Sequence, residues 1–376
     1  MKTLRIGIVC YPTYGGSGIV ATQLASLLAA RGHEIHLISY GMPVRLGRHL
    51  PNLYLHEVPS FAYSLFHQQP YTLSLACSLA EVTEEADIDL YHVHYAIPHA
   101  VAAHLAREML PDRKIGLVTT LHGTDVTLVG TDPSYRSITK FAIERSDAVT
   151  CVSRFLRDET VRLFDTRIPM DVIYNFVTDE FVQSTSTLVA RTLLAPSSVP
   201  IFAHVSNFRP VKRAPDVVRV FAKVRKEMPA RLILVGDGPD MPKVRDVARQ
   251  LGVMNDILLL GNQESLQDIL VHADIFLMPS ESESFGLAAL EAMACDTAVL
   301  AFRIGGVPEV VEDGTSGFLF DLGDIEAMAA KALELLRDRT KLDAIKRQGK
   351  ARVLSTFSAH DKVDAYEAVY RRILGG

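Results

Sequence analysis

Apolar and polar positions alternate along this chain in blocks that change period. A short buried run, Leu4 to Cys10, is followed by an apolar-faced helical segment, Ile19 to Ala30, and by a second run, Glu34 to Ser39, beyond Gly32. That order predicts a βαβ opening. Further strands are predicted at Leu90 to Val93, Ile115 to Thr120, Ala148 to Val152 and Val172 to Tyr174, with helical patterns between them, so the sheet is expected to be mostly parallel. From Ile201 to Val205 the alternation restarts, with strands at Leu232 to Val235, Ile257 to Leu260, Ile275 to Met278 and Ala298 to Ala301. After Phe320 the pattern is helical nearly to the end, and Asp361 to Leu374 carries apolar residues at helical spacing. The division predicted is a first α/β domain over 1–177, a linker region over 178–200, a second α/β domain over 201–357 and a last helix over 358–376 that packs on the first domain. Ser184-Thr185-Ser186-Thr187 and Ala195-Pro196-Ser197-Ser198 mark the linker.

Length agrees with this, since 376 residues exceed one ordinary core and suit two. A net charge of -5 gives no general attraction to nucleic acid. No apolar stretch reaches the roughly 18 to 20 residues of a membrane span, so a soluble chain is expected. Met1 to Cys10 lacks a signal-peptide cleavage pattern and reads as a first strand. The four cysteines, Cys10, Cys77, Cys151 and Cys295, are far apart in apolar stretches, which predicts four buried thiols in a reducing cytoplasm. No interface for a homo-oligomer is legible.

Four segments could carry chemistry. Tyr14-Gly15-Gly16-Ser17-Gly18 joins the first strand to the first helix and can present backbone N–H groups to an anion, or the glycines can serve only a tight turn. It is neither a full dinucleotide fingerprint, since Ile38-Ser39-Tyr40 ends strand two without an acid, nor a Walker loop. Thr120-Leu121-His122-Gly123-Thr124-Asp125 ends a predicted strand, where His122 can bond a sugar hydroxyl or play a structural part. His92, His94, His99 and His104 lack the pairing with a carboxylate that a metal site needs and read as structural. Ser206-Asn207-Phe208-Arg209-Pro210-Val211-Lys212-Arg213 sets three cations within five residues, fit for a diphosphate or for a solvated turn. Ser280 to Leu287 runs into a helix with Glu283 in the loop and Glu291 on the helix. The two carboxylates can hold sugar and ribose hydroxyls while the main chain of Phe285, Gly286 and Leu287 faces phosphate, with packing of the Phe285 ring as the alternative. Paired carboxylates also occur in glycoside hydrolases, which have no use for a phosphate clamp.

Together these residues resemble the retaining glycosyltransferases of family 4, over essentially the whole chain. The family's Glu-x7-Glu pattern matches Glu283 and Glu291. The wording of Tyr11 to Gly18, His122 to Gly130 and Ser206 to Arg209 is similar to members that join N-acetylglucosamine to L-malate in bacillithiol biosynthesis. The resemblance implies the GT-B architecture, two Rossmann-like doubly wound domains facing across a cleft with the C-terminal helix crossing back. It implies UDP-N-acetylglucosamine and L-malate as substrates, no metal and no cofactor. Donor binding would fall to Gly16, Asn207, Arg209, Lys212, Glu283, Phe285, Gly286, Leu287 and Glu291, and catalysis to His122, Lys212, Arg209 and Glu283. Acceptor binding would fall to Gly15, Gly16, Ser17, Tyr95, Thr120, His122 and Arg154. One departure is Asn207, where many members carry an Arg five residues before the clamp Lys; Arg209 follows two positions later. Asp87-Ile88-Asp89, at the start of a strand, reads as structural and not as a metal motif. The rival readings are a transferase with another acceptor, a UDP-sugar epimerase, a nicotinamide oxidoreductase and a non-catalytic sugar-nucleotide sensor.

Overall fold

A computed structural model describes residues 3–46, 50–59, 70–183 and 190–375. The serine and threonine run at 184–187, expected to lie in a linker, falls outside them. The chain forms two compact units, one of Met1–Asn175 with His360–Gly376 and the other of Phe176–Ala359.

The first unit holds a seven-stranded parallel sheet in the order β3-β2-β1-β4-β5-β6-β7. Its strands are β1 Arg5–Val9, β2 Glu34–Ser39, β3 Leu53–Glu57, β4 Leu90–His94, β5 Gly116–Leu121, β6 Ala148–Cys151 and β7 Met170–Val172. The central strands are buried along their whole length because helices cover both sides of a parallel sheet. β3 did not show in the sequence pattern: Leu53-Tyr54-Leu55-His56-Glu57 is a half-exposed edge with polar residues at two of five positions. β7 comes two residues earlier than expected, since Met170, Asp171 and Val172 pair with Val149, Thr150 and Cys151. Asp87 and Asp89 sit at the opposite, amino edge of this sheet. Asp87 pairs with Arg5 and Arg113, and Asp89 accepts from the Arg5 main-chain N–H at 2.8 Å, so both are structural.

The second unit repeats the plan with six parallel strands in the order β10-β9-β8-β11-β12-β13. They are β8 Ile201–Val205, β9 Arg231–Val235, β10 Ile257–Gly261, β11 Ile275–Met278, β12 Ala298–Phe302 and β13 Gly317–Phe320. Phe202, Leu234, Leu277 and Leu300 from the sheet pack with Phe221, Met328 and Leu335 from the helices as one core. β13 was missed in sequence because a four-residue run opening on glycine carries little period-two signal.

Cysteine placement corrects one expectation. Cys10, Cys151 and Cys295 are buried free thiols, whereas Cys77 is exposed. It lies on the helix Tyr71–Ala86, where exposed Leu73 and Glu81 stand four residues to either side and mark one solvent stripe. Among the described residues no helix is long and apolar enough to cross a membrane.

The terminal helix Ala359–Leu374 belongs to the first unit and is held there by buried polar contacts. His33 Nδ1 accepts from the Leu4 N–H at 3.1 Å, which makes Nε2 the protonated nitrogen, and this donates to Glu367 Oε1 at 3.2 Å. Arg31 and Arg371 flank the other oxygen of Glu367 at 3.4 and 3.5 Å. Nearby, His92 joins Tyr370 Oη at 2.7 Å. Replacing Glu367 with Ala strands the His33 donor in a buried site, so Glu367→Ala is expected to lower unfolding free energy by about 2 kcal/mol, read as a lower urea midpoint at unchanged m-value.

Candidate functional site

In both sheets strand order reverses once, between β1 and β4 and between β8 and β11, and ligands of open α/β sheets bind outside the carboxyl ends of the strands at that reversal. The residues singled out in sequence gather at these two places.

In the second unit the loop after β8 carries Asn207, Arg209 and Lys212, and the loop after β11 carries Glu283. Lys212 Nζ donates to Glu283 Oε1 at 2.6 Å, and Ser280 Oγ donates to the same oxygen at 3.0 Å. The loops are also tied through main chain, Glu281 N–H to Val211 O at 2.7 Å and Gly306 N–H to Glu283 O at 3.0 Å. Beneath them His204 donates from Nδ1 to Leu277 O at 2.8 Å, so Nε2 accepts from Ser206 Oγ at 2.9 Å, and Ser206 Oγ accepts from the Phe208 N–H at 3.2 Å. This chain sets the turn at Ser206–Phe208 and requires a neutral His204, whose pKa burial pushes down to about 4. No motif around His204 marks this role in advance.

Of the three clustered cations, Lys212 is half-buried against Glu283 and Arg209 is exposed. Arg213 is committed elsewhere, to Asp216 at 2.6 Å and Glu281 at 3.8 Å. The Asn207 carboxamide oxygen is buried without a hydrogen-bond partner among the described residues. Gly286, at φ +101°, caps the helix Leu287–Ala294, and only glycine takes that conformation without strain. Leu287 and Glu291 follow on this helix, and Glu291 is buried. The Phe285 ring is buried edge-to-face on Phe357, with centroids 5.8 Å apart. Its side chain therefore serves packing, and what it brings to the turn is main chain.

In the first unit Gly15 caps the helix Gly16–Ala30 just after β1. Ser17 Oγ donates to Tyr95 Oη at 2.8 Å, a bond that spans the reversal between β1 and β4. Tyr95 holds a strained φ of +90° at the end of β4, and its N–H donates to Thr120 O at 2.9 Å. His122, half-buried after β5, has Nε2 at 2.8 Å from His94 Nδ1, with the rings stacked. Arg154 is exposed at the first position of the helix Arg154–Phe164, behind the N-cap Ser153. Thr120 is corrected: it is fully buried, and its hydroxyl is engaged by His92 Nε2 and Thr150 Oγ1, both at 2.7 Å, so it supports the edge from beneath and does not line it.

Sequence reasoning missed Tyr11, although it opens the Tyr11–Gly18 stretch. Its ring lies 4.5 Å from that of His99, 5.6 Å from Tyr95 and 6.0 Å from Tyr40. Within this cluster His94 Nε2, His99 Nε2 and Tyr71 Oη are buried without a hydrogen-bond partner among the described residues. His104 stands apart against Phe141. Among the described residues the one grouping with metal-ligand proximity is His360, Asp361 and Asp364, all exposed on the terminal helix.

Two parallel-sheet units with polar loops at each strand reversal, the second holding a lysine–glutamate pair, agree with the GT-B fold, which solved glycosyltransferases share. Residues 14–181 match the family model described as Glycosyltransferase Family 4, and residues 189–352 the one described as Glycosyl transferases group 1. The chain belongs to glycosyltransferase family 4 and is a sugar-transferring enzyme. It is 43% identical over 372 residues to the N-acetyl-alpha-D-glucosaminyl L-malate synthase of Bacillus anthracis, covering 99% of this chain and 97% of that one. It is 28% identical over 387 residues to the D-inositol 3-phosphate glycosyltransferase of Mycolicibacterium smegmatis, covering 96% and 87%. The fold is shared with the sucrose-phosphate synthase of Thermosynechococcus elongatus, at a TM-score of 0.82, 19% identity and 99% coverage of both chains. It is shared also with HepE of Anabaena, solved with UDP and glucose, at a TM-score of 0.80, 19% identity and coverage of 97% and 99%.

Four histidines at the carboxyl edge of the first sheet, His92, His94, His99 and His122, are held neutral. Burial pushes His92 and His122 down to about 3 and His99 to about 4, and drives His94 well below the usual range. The unfolded chain protonates these rings near pH 6.5 while the folded chain does not. Stability is therefore complete above about pH 6.5 and falls as acid is added, until the folded values are reached. Each fully buried ring, His92, His94 and His99, is expected to cost about 1.4 kcal/mol per pH unit below 6.5. Thermal melts are expected to show a midpoint that is level from about pH 7.5 to 6.5 and falls steadily from there to about pH 5.

Proposed function

We propose that this enzyme transfers N-acetylglucosamine from UDP-N-acetylglucosamine to the hydroxyl of L-malate, with retention at the anomeric carbon, as the first step of bacillithiol biosynthesis in the cytoplasm. The observation that carries this reading is the 43% identity, over 99% of the chain, to a protein named for that synthesis.

The chemistry of the two sites supports it. In the second unit Lys212 and Arg209 supply the positive charge that a departing diphosphate needs. Glu283, holding Lys212 and Ser280 on Oε1, orients the sugar through its other oxygen, and Glu291 receives the ribose diol. Main-chain N–H groups at Gly286 and Leu287, at the start of a helix, take phosphate oxygens. The Asn207 carboxamide, left without a partner, offers a further polar contact to the donor.

In the first unit the dicarboxylate meets the N–H groups of Gly15 and Gly16, the hydroxyls of Ser17 and Tyr95, and the guanidinium of Arg154. Two helix starts, at 16 and 154, face the same carboxyl edge and favour anions. His122 remains neutral and serves as a hydrogen-bonding group, not as a cation.

In the reaction the acceptor oxygen bonds to the anomeric carbon on the face that the diphosphate leaves. The hydroxyl proton passes to a phosphate oxygen of the leaving UDP. No protein nucleophile and no metal takes part in this scheme.

UDP release from UDP-N-acetylglucosamine, measured with and without L-malate in the presence of a chelator, with mass analysis of the product, tests it. Malate-dependent release and a glucosaminyl-malate mass are expected. Turnover without malate would point to another acceptor or to epimerisation, and loss of activity with chelator would refute the metal-free scheme. Lys212→Ala is expected to lower kcat by about a hundredfold or more.

A further inference from the structure

Asp125 ends the His122-Gly123-Thr124-Asp125 segment, yet the scheme above gives it no work. It is 2% exposed and carries a carboxylate that no cation among the described residues neutralises. Its partners are main-chain N–H groups from two different loops. Oδ2 accepts from Ala96, in the loop leaving β4, at 3.0 Å. Oδ1 accepts from Gly123 at 2.9 Å and from His122 at 3.3 Å, in the loop leaving β5. A buried carboxylate held this way has replaced its hydration shell with fixed N–H dipoles, and it keeps that compensation only while both loops stay in place. The two loops present Tyr95 and His122, each adjacent in sequence to a donor or itself a donor to Asp125.

We infer that Asp125 is a positioning residue for glycosyl transfer: one buried carboxylate clamps the Tyr95 loop to the His122 loop and fixes where both side chains stand toward the acceptor. The inference rests on the acceptor reading for Tyr95 and His122. The division of labour between the oxygens makes it specific. An aspartate accepts on both sides, whereas an asparagine of the same size accepts on one and turns an NH2 group toward an N–H on the other. Asp125→Asn therefore leaves the volume filled and breaks the tie through which each loop holds the other. Ala96→Pro reaches the same end from the other side, by deleting the donated proton with the carboxylate intact. Thr127→Val is the control: it removes the bond from Thr127 Oγ1 to Gly123 O, at 3.0 Å, which loosens the His122 loop locally without touching the clamp.

The test compares these three variants with wild type by kcat and KM for L-malate, by the dissociation constant of UDP, and by amide hydrogen exchange over 94–100 and 121–128. Asp125→Asn and Ala96→Pro are expected to lower kcat tenfold or more and to raise the malate KM. UDP affinity should stay within twofold, since every residue assigned to the donor except Gly16 belongs to the other unit. Exchange should quicken in both segments together, and Thr127→Val should quicken only 121–128 with kcat within about twofold. Unchanged kinetics in a folded Asp125→Asn, equal kinetic loss in Thr127→Val, or quickened exchange in 121–128 alone would each overturn the clamp. Should wild type show no malate-dependent turnover, the acceptor reading fails by itself, and the exchange pattern still decides whether Asp125 couples the loops. If Asp125→Asn does not fold, Ala96→Pro carries the same comparison.

Discussion

Everything that could act in this protein hangs on one constraint: in a parallel sheet every strand delivers its following loop to the same edge. At the single reversal of strand order two neighbouring loops diverge and leave room between them. In each unit a polar side-chain contact bridges that gap. In the first it is the hydroxyl bond from Ser17 to Tyr95, and in the second the ion pair from Lys212 to Glu283. Neither contact can form unless the strand order is right, because β1 and β4 are 80 residues apart and β8 and β11 about 70. The fold therefore assembles the chemistry, and the loops merely carry it.

The two sites differ in the kind of electrostatics they use. The first unit is built from neutral dipoles: imidazoles held uncharged by burial, tyrosine hydroxyls, and helix starts, with Arg154 as its exposed cation. The second is built from full charges that are partly matched in advance. Lys212 already has its carboxylate and Arg213 has two, so only Arg209 of the three clustered cations stands exposed. Prior pairing lowers the cost of keeping Lys212 half-buried, and it holds the ammonium in position before any phosphate arrives. A dipolar site suits a ligand that must be oriented, and a charged one suits a group that must leave as an anion.

The strands were legible in the sequence wherever both faces are covered, because a continuous apolar run admits few other readings. β3 and β13 escaped because the first is half-exposed and the second short. Cys77 escaped because an apolar neighbourhood in sequence says nothing of which helical face a residue takes. Lys212, Glu283 and Ser17 were legible as candidates because they stand in a cation cluster, a Glu-x7-Glu pattern and a glycine-rich turn that each follow a predicted strand. Thr120, Phe285 and Asp125 show the limit. A strand end contains inward and outward positions one residue apart, and only tertiary packing tells that Thr120 points into the core, that Phe285 packs on Phe357, and that Asp125 turns beneath two loops. The ion pairs of Arg213 were hidden likewise, because Asp216 and Glu281 come from a helix and a distant loop.

The close fit of backbone on backbone explains how such a frame can serve varied chemistry. A Cβ on Gly18 would stand 2.5 Å from Tyr11 O, and one on Gly306 would stand 2.2 Å from Ser284 O. At Gly306 the main chain of one loop lies against that of another, and at Gly18 the first turn of a helix lies against the loop that leads into it, with no side chain between to act as a spacer. Such contacts fix loop positions without reference to what the neighbouring side chains are. The side chains of Tyr11 and Arg154 project from that frame and take no part in these main-chain contacts. This division between a rigid main-chain frame and replaceable side chains accounts physically for full-length relatives named for acceptors as unlike as malate and inositol phosphate. On the function proposed above, acceptor choice falls to the first unit, where the edge of the sheet carries neutral and aromatic side chains beside Arg154 and is free of the charge requirement that a departing diphosphate would impose on the second.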